Sequence, residues 1–445
     1  MSFNSIGTSQ VSIAEMAKRG RASSRNLARL SNDHRNEILM AAAKTIESGT
    51  QKILDSNDRD CRAAEPLAAS GKMSAAMLAR LRLTAKGVDE MAARVRDVAR
   101  LPDPLGRRLA ATELDDNLVL YKETCPLGVV GIVFESRPDV VPQVASLALK
   151  SGNALILKGG AEAEHTNETL VDLWRRCVGG FSSAQVDVLQ LLHTRADVME
   201  LLTLERDVDL IIPRGSREFV KFVARNSRVP VLGHGEGICH VYVDSSADVE
   251  KAIKITLDSK TQYPAACNAA ETLLVHERIA QRFLPRVVGE LKAAGVEIRA
   301  CPKTVALLKR EDVASAGDVD WATEYSDLIL SIKVVTDIGE AIAHIEQYGS
   351  GHTEAIVTED AEAAREFMEK VDAAGVFHNA STRFADGFRY GLGAELGIST
   401  SKLHARGPVG LEGLTTYKYK LFGDGHIVAE YSHGTRRFKH VATAG

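Results

Sequence analysis

The sequence lacks the features that mark several classes of protein. Its six cysteines are scattered along the chain without a Cys-x-x-Cys pair, which argues against a disulfide framework and against a zinc knuckle. No apolar run approaches the roughly 18 residues of a membrane-spanning helix, and residues 1–10 have neither the basic start nor the apolar stretch of a secretory signal. We therefore expect free thiols, no metal site and a location in the cytoplasm.

The overall charge gives no indication of a nucleic-acid or membrane partner. The 445 residues carry a formal net charge of -4, with 26% charged and 45% hydrophobic residues, which is close to the average for soluble globular chains. A chain of this length is expected to form two or three domains. It can therefore bury a full pocket between them.

The order of the predicted elements indicates an α/β fold. The first hundred residues are rich in Ala, Leu, Arg and Glu and predict helices. Beyond them, continuous apolar strands alternate with amphipathic helices, which is typical of a parallel sheet covered on both faces. Strands are predicted at 128–135, 154–158, 186–192, 208–212 and 238–243 in a first unit, and at 272–275, 328–335 and 355–357 in a second.

Two segments predict a third, smaller sheet. Residues 117–122 form a short apolar run, and the tail at 414–431 combines Thr, Tyr and Val with a Gly-Asp-Gly turn at 423–425. Such a tail is typical of a hairpin or an arm. The two segments could pair with each other.

Four strand ends of the first unit finish in polar or glycine-rich turns. Backbone N–H groups at the helix starts that follow suit a diphosphate, and Lys158 and Arg214 could meet phosphate or ribose oxygens. No Gly-x-Gly-x-x-Gly sequence follows a strand, and a glycine-rich loop is often only a helix cap. Both interpretations stay open for Glu135-Ser136-Arg137-Pro138, Lys158-Gly159-Gly160, His193-Thr194-Arg195 and Pro213-Arg214-Gly215-Ser216.

A cysteine in the loop at 262–269 is a candidate nucleophile. The loop lies between a helix and a strand near the expected domain boundary, where Cys267 would be accessible. Its thiolate would be the attacking species, so nearby dipoles or cations should lower its pKa. The alternative is that Cys267, like many unpaired cysteines, is a small buried hydrophobe.

The segment 378–408 predicts a long loop. It is rich in Gly, Ser, Thr and basic residues and has no periodicity. Loops of this length are often functional, and Arg383, Lys402 and Arg406 could bind carboxylate or phosphate through charge-assisted hydrogen bonds. The alternative is a solvated surface loop.

Taken in order, these segments resemble the γ-glutamyl phosphate reductases, a branch of the aldehyde dehydrogenase superfamily. The matching blocks span nearly the whole chain, at 131–138, 149–160, 238–244, 263–276, 348–359, 379–384, 391–399 and 402–417. The resemblance implies an aldehyde dehydrogenase-like α/β fold with two doubly wound α/β domains and a small β oligomerisation arm. It implies a cofactor-binding domain at 1–106 and 127–258, a catalytic domain carrying Cys267 at 259–410, and the arm at 107–126 and 411–445.

The same resemblance implies an activity and its residues. The expected reaction is the NADPH-dependent reduction of L-glutamyl 5-phosphate to L-glutamate 5-semialdehyde and phosphate through a thioester on Cys267, the second step of proline biosynthesis from glutamate. Expected partners are a second copy or three further copies of the chain, and functional coupling to glutamate 5-kinase. The resemblance implies catalytic Cys267 and cofactor-binding Lys158, Gly215, Ser216 and Glu324. The chemistry of the residues themselves adds catalytic Asn268, cofactor-binding Glu135, Ser136, Gly159 and Gly160, and substrate-binding Arg137, Arg383 and Arg406.

Other activities remain as alternatives. Relatives that hydrolyse their thioester use a carboxylate in a block that aligns with His234-Gly235-Glu236-Gly237. His234 takes the position of that base, so phosphate rather than water is the expected partner of the thioester, although Glu236 lies two residues later. The alternatives are another acyl-phosphate or aldehyde dehydrogenase of the same fold, a thiol acyltransferase that pairs Cys267 with His234 or His240 without nicotinamide, and a catalytically silent scaffold.

Overall fold

The computed structural model describes residues 11–135, 137–181, 185–233, 236–309 and 312–443. In chain order its helices are α1 Ile13–Leu27, α2 Asn32–Ser48, α3 Thr50–Ala69, α4 Ala75–Leu81, α5 Ala85–Arg100, α6 Val140–Lys150, α7 Glu164–Gly179, α8 Arg195–Leu201, α9 Arg217–Asn226, α10 Val249–Thr261, α11 Glu277–Ala293, α12 Pro302–Leu308, α13 Asp318–Trp321, α14 Ile338–Tyr348, α15 Ala361–Lys370 and α16 Val428–Ser432. Short 3-10 turns occur at Ala161–Ala163, Val186–Val188, Thr382–Phe384 and Glu412–Leu414.

The strands form two parallel sheets, an antiparallel sheet and a two-stranded ribbon. In chain order they are β1 Arg108–Asp115, β2 Leu118–Pro126, β3 Val129–Phe134, β4 Ala154–Lys158, β5 Leu189–Leu191, β6 Leu210–Arg214, β7 Cys239–Val243, β8 Ala270–His276, β9 Glu297–Ala300, β10 Ala314–Ser315, β11 Ile329–Val335, β12 Thr353–Val357, β13 Gly375–His378, β14 Ile398–Ser399, β15 Gly407–Pro408, β16 Thr415–Phe422 and β17 Val441–Thr443.

The first parallel sheet has the order β5-β4-β3-β6. All six residues of its central strand β3 are buried. Alternate side chains of β3 enter two different cores, one shared with α2, α5, α6 and α7 and the other with α1 and α8, because successive side chains point to opposite faces of a sheet. Helices on both faces explain why its strands are continuous apolar runs.

The edge strand of this sheet is shorter than predicted. The expected strand at 186–192 begins as a 3-10 turn, in which the Val188 N–H donates to the Gln185 carbonyl at 3.2 Å. Only Leu189–Leu191 pairs with β4. The turn satisfies locally the backbone groups that a longer strand would have used.

The second parallel sheet has the order β10-β9-β11-β8-β7-β12-β13. Strand β7 is hydrogen-bonded to β8 on one side and to β12 on the other. The predicted end of the cofactor-binding domain at residue 258 is therefore too late, since the chain changes sheets between β6 and β7. The apolar strands of the two units are alike in sequence, so their regular alternation did not reveal this change.

A late part of the predicted catalytic domain also packs elsewhere. Leu396 and Val409 are buried in the core of the first unit, together with Leu411 and Leu414. The loops between β13 and β16 therefore cross back to the first sheet. Their return places the loop at 394–399 beside both units.

The third sheet is antiparallel, with the order β16-β2-β1-β17. Strand β16 pairs with β2 from Thr415 to Phe422, which agrees with the predicted pairing of the tail with the early segment. Strands β1 and β2 form a hairpin whose turn places Asn117 at a φ of 59°, a left-handed conformation that Asn tolerates. Within the described ranges, no helix combines the length and apolar character needed to cross a membrane.

Candidate active site

A cavity of about 860 Å³ lies between the two parallel sheets. Its lining includes residues that follow β3 and β6 at the carboxyl edge of the first sheet, and residues of the loop that precedes β8 in the second. Ligands of doubly wound sheets bind at carboxyl edges, and the first sheet follows that rule. The second sheet instead contributes its amino edge.

Cys267 lines this cavity three residues before β8. Its Sγ lies 3.2 Å from Nε2 of His352. Burial, helped by the carboxylates of Glu324 and Glu395 and opposed by the Arg383 guanidinium, raises the pKa of the Cys267 thiol to about 12. A thiol with such a pKa is protonated at neutral pH, so its attack on a substrate requires a base.

The backbone around Cys267 is held by close contacts. A Cβ on Gly237 would lie 2.7 Å from the Cys267 Cα and equally close to its carbonyl carbon, so only glycine lets the start of β7 approach the loop. The Cys239 thiol donates to the Cys267 carbonyl at 3.3 Å. These contacts fix the position of the sulfur relative to the second sheet.

Asn268 is buried behind the cysteine and anchors the same loop. Its Nδ2 donates to the Ala385 carbonyl at 2.8 Å, and its Oδ1 is buried without a hydrogen-bond partner in the described part of the chain. The Asn268 carboxamide therefore ties the cysteine loop to the segment after the 3-10 turn Thr382–Phe384. The catalytic role that the sequence analysis gave to Asn268 stays a prediction.

Four arginines line the cavity, namely Arg80, Arg137, Arg214 and Arg383. Nη1 of Arg214 is buried, and no described residue accepts a hydrogen bond from it. Burial and, to a smaller extent, the charge of the neighbouring Arg137 lower the pKa of Arg214 to about 10. Guanidinium groups bind carboxylate and phosphate well, so the cavity suits a substrate with several negative charges.

Arg406, the third arginine that the sequence proposed for the substrate, lies elsewhere. Its Nη1 is 2.7 Å from Oδ1 of Asp372, and Lys402 pairs with the same carboxylate. Neither basic residue is among the described residues that line the cavity. The basic character of their segment is explained by this ion-pair cluster.

Most of the predicted cofactor residues lie along the carboxyl edge of the first sheet, whereas Glu324 precedes β11 of the second sheet. Glu135, Gly215, Ser216 and Glu324 line the main cavity. The backbone N–H of Ser216 donates to Oε2 of Glu135 at 3.1 Å, and the Ser216 hydroxyl caps α9. The N-terminus of α9 thus faces the cavity with backbone donors. Ser136, the remaining predicted residue of this edge, lies outside the described residues.

A second, small cavity is lined by Lys158, Gly159 and Gly160. The Lys158 ammonium donates to the Gly159 carbonyl, and burial lowers its pKa. Beside it, Glu164, Glu168 and His193 form an exposed group whose ligand atoms lie within 4.8 Å of one another. Exposed acidic groups of this kind are common without an ion, so we assign no metal to them.

The histidine that meets the nucleophile differs from those that the sequence suggested. His240 is fully buried, with its Nδ1 2.8 Å from Oε2 of Glu354, and His234 lies outside the described residues. His352 was missed because nothing in its local sequence marks a chemical role. The topology offers a signal, since β8 and β12 flank β7, and residues that precede parallel neighbours gather at one edge.

The position of Glu236 bears on the hydrolytic alternative. Its Oε1 lies 3.7 Å from Nζ of Lys221 on α9. Glu236 is not among the described residues that line the cavity of Cys267. It is therefore poorly placed to activate a water molecule at that cysteine.

Comparison with known proteins gives consistent matches. The model of the aldehyde dehydrogenase family matches residues 5–305. The γ-glutamyl phosphate reductase of Trichodesmium erythraeum is 53% identical over 425 residues, which are 95% of this chain and 96% of that protein. The crystal structure of γ-glutamyl phosphate reductase from Thermotoga maritima matches with a TM-score of 0.90 at 40% identity, over 93% of this chain and 99% of that one.

A more distant solved structure shows the fold alone. Glyceraldehyde-3-phosphate dehydrogenase from Methanocaldococcus jannaschii, solved in complex with NADP, matches with a TM-score of 0.64 at 16% identity over 93% of each chain. Both parallel sheets and their connections therefore follow an architecture that is found well beyond the near relatives.

Proposed function

Because the chain belongs to the aldehyde dehydrogenase family and, within it, to the γ-glutamyl phosphate reductases, we propose that it reduces L-glutamyl 5-phosphate to L-glutamate 5-semialdehyde and phosphate. NADPH is the reductant, and the intermediate is a thioester on Cys267. One observation carries the proposal: Cys267 lines a cavity that also receives the guanidinium groups of Arg137, Arg214 and Arg383. This combination suits a substrate that carries both a phosphoryl group and a carboxylate.

The first half of the reaction forms the thioester. The Cys267 sulfur attacks the acyl carbon, the bond from that carbon to the phosphate oxygen breaks, and phosphate leaves with the electron pair. Arg214 is the candidate for holding the phosphoryl group because its buried Nη1 lacks a partner in the described ranges. Arg137 lies near enough to lower the pKa of Arg214 and shares that task. The covalent step divides one difficult reduction into two easier ones.

Arg383 is the candidate for the substrate carboxylate. It is 8% exposed, and its Nε donates to Oε1 of Gln262 at 2.9 Å. That bond fixes one edge of the guanidinium on the loop that carries Cys267. The remaining donors are available for an anion in the cavity.

The carboxyl edge of the first sheet fits a nicotinamide dinucleotide. The N-terminus of α9 presents backbone donors, and the Ser216 N–H already meets a carboxylate oxygen of Glu135; a diphosphate is the anion that such a terminus favours. Lys158 and Glu324 are candidates for ribose hydroxyls, with Gly159 and Gly160 at the smaller cavity. When bound, NADPH supplies the hydride that reduces the thioester.

Phosphate, and not water, is the expected partner of the thioester in the reverse direction. Glu236, the nearest carboxylate in the aligned block, lies beside Lys221 on α9. A thioester in this cavity is therefore open to phosphate held by arginines but has no carboxylate from that block to activate water.

We also propose a setting for the enzyme. We place it in the cytoplasm. We also propose that it is coupled in function to glutamate 5-kinase, because an acyl phosphate is too reactive to persist in water. The third sheet is the proposed arm of a homodimer or homotetramer. Its strand β16 leaves Tyr417, Tyr419, Leu421 and Phe422 exposed, and exposed apolar groups on an edge strand favour pairing with another chain.

The test is NADP reduction by the purified protein with glutamate semialdehyde, with and without phosphate. We expect phosphate-dependent activity in the wild type, its loss in Cys267→Ala, and wild-type rates in Cys301→Ala, which removes a partly buried thiol away from the cavity. Activity without phosphate would indicate a hydrolytic dehydrogenase. The absence of both NADP binding and turnover would favour a thiol acyltransferase and overturn the proposal.

A further inference from the structure

His352 lies beside the nucleophile and is held rigidly. Its Nε2 is 3.2 Å from Sγ of Cys267, and the residue is fully buried. It immediately precedes β12, and its carbonyl accepts a hydrogen bond from the Gly375 N–H at 3.0 Å. The backbone that carries the ring is therefore fixed to the second sheet, which holds the imidazole at this distance from the sulfur.

The surroundings of the ring determine which nitrogen carries the proton. Nδ1 lies 2.9 Å from the Thr353 hydroxyl oxygen and 3.6 Å from Sγ of Cys239. The Cys239 thiol donates its own proton to the Cys267 carbonyl, so its sulfur faces Nδ1 as an acceptor. The Thr353 hydroxyl can accept as well as donate, so both neighbours of Nδ1 are compatible with the tautomer that carries its proton on that nitrogen. Nε2 then presents a lone pair to the Cys267 thiol.

The thiol needs such a partner. Cys267 is only partly exposed, desolvation by its surroundings raises the pKa of the thiol, and the carboxylates of Glu324 and Glu395 contribute to that rise. With a pKa of about 12, only about one thiol in 10⁵ would be ionised at neutral pH. A cysteine in such surroundings is activated by an adjacent general base.

We propose that His352 is a catalytic base and acid, taking the Cys267 thiol proton on Nε2 when the thioester forms and returning a proton to the sulfur when the thioester has been reduced. The proposal rests on the proposed function for the identity of the reaction. The pairing of the imidazole with the thiol does not depend on the proposed function, because it is a property of the folded chain.

The proton balance defines both steps. In the first, the S–H proton moves to Nε2, the S–C bond forms, and the C–O bond to phosphate breaks. The imidazolium passes its proton to the departing phosphate, so thiol and acyl phosphate give thioester and hydrogen phosphate. After reduction at the acyl carbon, the C–S bond breaks, and the sulfur receives a proton that His352 has drawn from solvent.

A carboxylate is the rival base, and Glu395 is the stronger candidate. It lines the cavity, burial raises its pKa, and its Oε2 accepts the Gly387 N–H at 2.7 Å. Oε2 of Glu395 is therefore already engaged by the backbone amide of a loop residue. No hydrogen bond from Glu395 to Cys267 is found in the described structure, whereas His352 is within contact of the sulfur.

The first experiment measures the thiol without the reaction. Iodoacetamide alkylation of Cys267 is followed near neutral pH by mass spectrometry, with Cys301 as the internal reference. We expect the His352→Gln variant of the full chain to alkylate at Cys267 at about a tenth of the wild-type rate or less. Glu395→Gln should alkylate at least as fast as the wild type, because the Glu395 carboxylate raises the pKa of the Cys267 thiol, and His344→Gln should match the wild type. His344 is a suitable control because it is also buried, at 3% exposure, and lies on α14 outside the cavity lining.

Equal alkylation of Cys267 in His352→Gln and in the wild type would overturn the proposal, as would a slow rate in Glu395→Gln alone. If the glutamine variant does not fold, His352→Ala with added imidazole serves instead. Imidazole should then restore alkylation of Cys267 in His352→Ala and leave Cys301 unchanged. Failure of that rescue in folded protein counts against His352 as the base.

The second experiment measures turnover. We expect His352→Gln to lower kcat by about 10²- to 10⁴-fold, the usual contribution of a general base, with little change in the KM for phosphate. Wild-type activity that survives in His352→Gln would overturn the role of His352 and leave the proposed function intact. A wild type that lacks NADP reduction but shows the alkylation difference would refute the proposed function and leave the pairing intact.

Discussion

The contact between Gly237 and the cysteine loop predicts how a single methyl group should inactivate the enzyme. In Gly237→Ala the new Cβ would lie 2.0 Å from the Cys267 carbonyl oxygen, whereas ordinary contact begins at 3.4 Å, so the two backbones must separate by about 1.4 Å. Neither side moves easily. The Ile238 N–H donates to the Ser350 hydroxyl at 2.9 Å, and Cys239 pairs with Ala270 in the sheet.

The displacement should appear in turnover more than in binding. Misplacement of a reacting group by about 1 Å can cost about 10²-fold in rate, so we expect Gly237→Ala to lower kcat by one to two powers of ten. Overpacking should also destabilise the fold by about 1–3 kcal/mol. The assays are NADP reduction with glutamate semialdehyde and phosphate, and unfolding in denaturant.

The control is Gly289→Ala. Gly289 lies inside α11, and a Cβ there would meet nothing within 4 Å. This variant should keep its activity and gain up to about 1 kcal/mol, because alanine favours helix over glycine. Wild-type kcat and stability in Gly237→Ala would refute the steric reasoning.

Three further predictions concern charged groups. Arg214→Gln should raise the KM for phosphate about 10- to 150-fold, which corresponds to the loss of a charge-assisted hydrogen bond of about 1.5–3 kcal/mol. Arg406→Gln should leave this KM unchanged. Equal effects of the two substitutions in initial-rate assays would contradict the assignment of Arg214 to the phosphoryl group. Lys260 and Glu271 form a fully buried ion pair at 2.7 Å, so Lys260→Met should cost about 3–5 kcal/mol in denaturant unfolding and the double variant with Glu271→Leu should recover most of it. Hydrogen bonds from the next backbone N–H and from a C-terminal tyrosine hydroxyl lower the pKa of Asp115. The stabilisation that the ionised Asp115 gives to the folded chain is therefore complete above its unfolded pKa of 3.8 and is lost as pH falls through its lower folded pKa. Faster hydrogen exchange of the C-terminal segment should show this loss at low pH, and Asp115→Asn should show it already at neutral pH.

Local signals predicted the secondary structure well. The strand Ala154–Lys158 has the bounds that the sequence indicated, because apolar runs and turn residues are local properties. The aldehyde dehydrogenase fold that the resemblance implied is confirmed. Sheet membership was harder, as β7 shows: its buried apolar residues suit either sheet, and only pairing with β8 and β12 decides between them.

The same distinction between local and tertiary signals applies to the residues of the site. Cys267 and the turn at Gly215–Ser216 were predicted because a loop cysteine and a glycine before a helix carry their chemistry in the local sequence. His352 was not, because its importance depends on which strands are neighbours. Arg406 was assigned to the substrate for its charge alone, and Asp372, which neutralises it, is distant in sequence. Residues whose role depends on a tertiary partner are the ones that a single sequence does not reveal.

The raised pKa of the Cys267 thiol and the arginines that line its cavity together explain how such an enzyme can keep its nucleophile protonated until a substrate binds. A thiolate is readily oxidised, and susceptibility follows thiolate character and exposure. Cys267 is kept neutral by burial and by nearby carboxylates, so it is protected while the cavity holds no substrate. An acyl phosphate brings its electrophilic carbon to the sulfur and its charges to the arginines. Proton transfer to an adjacent base then coincides with attack, so the reactive form of the sulfur arises only when a substrate is present to consume it.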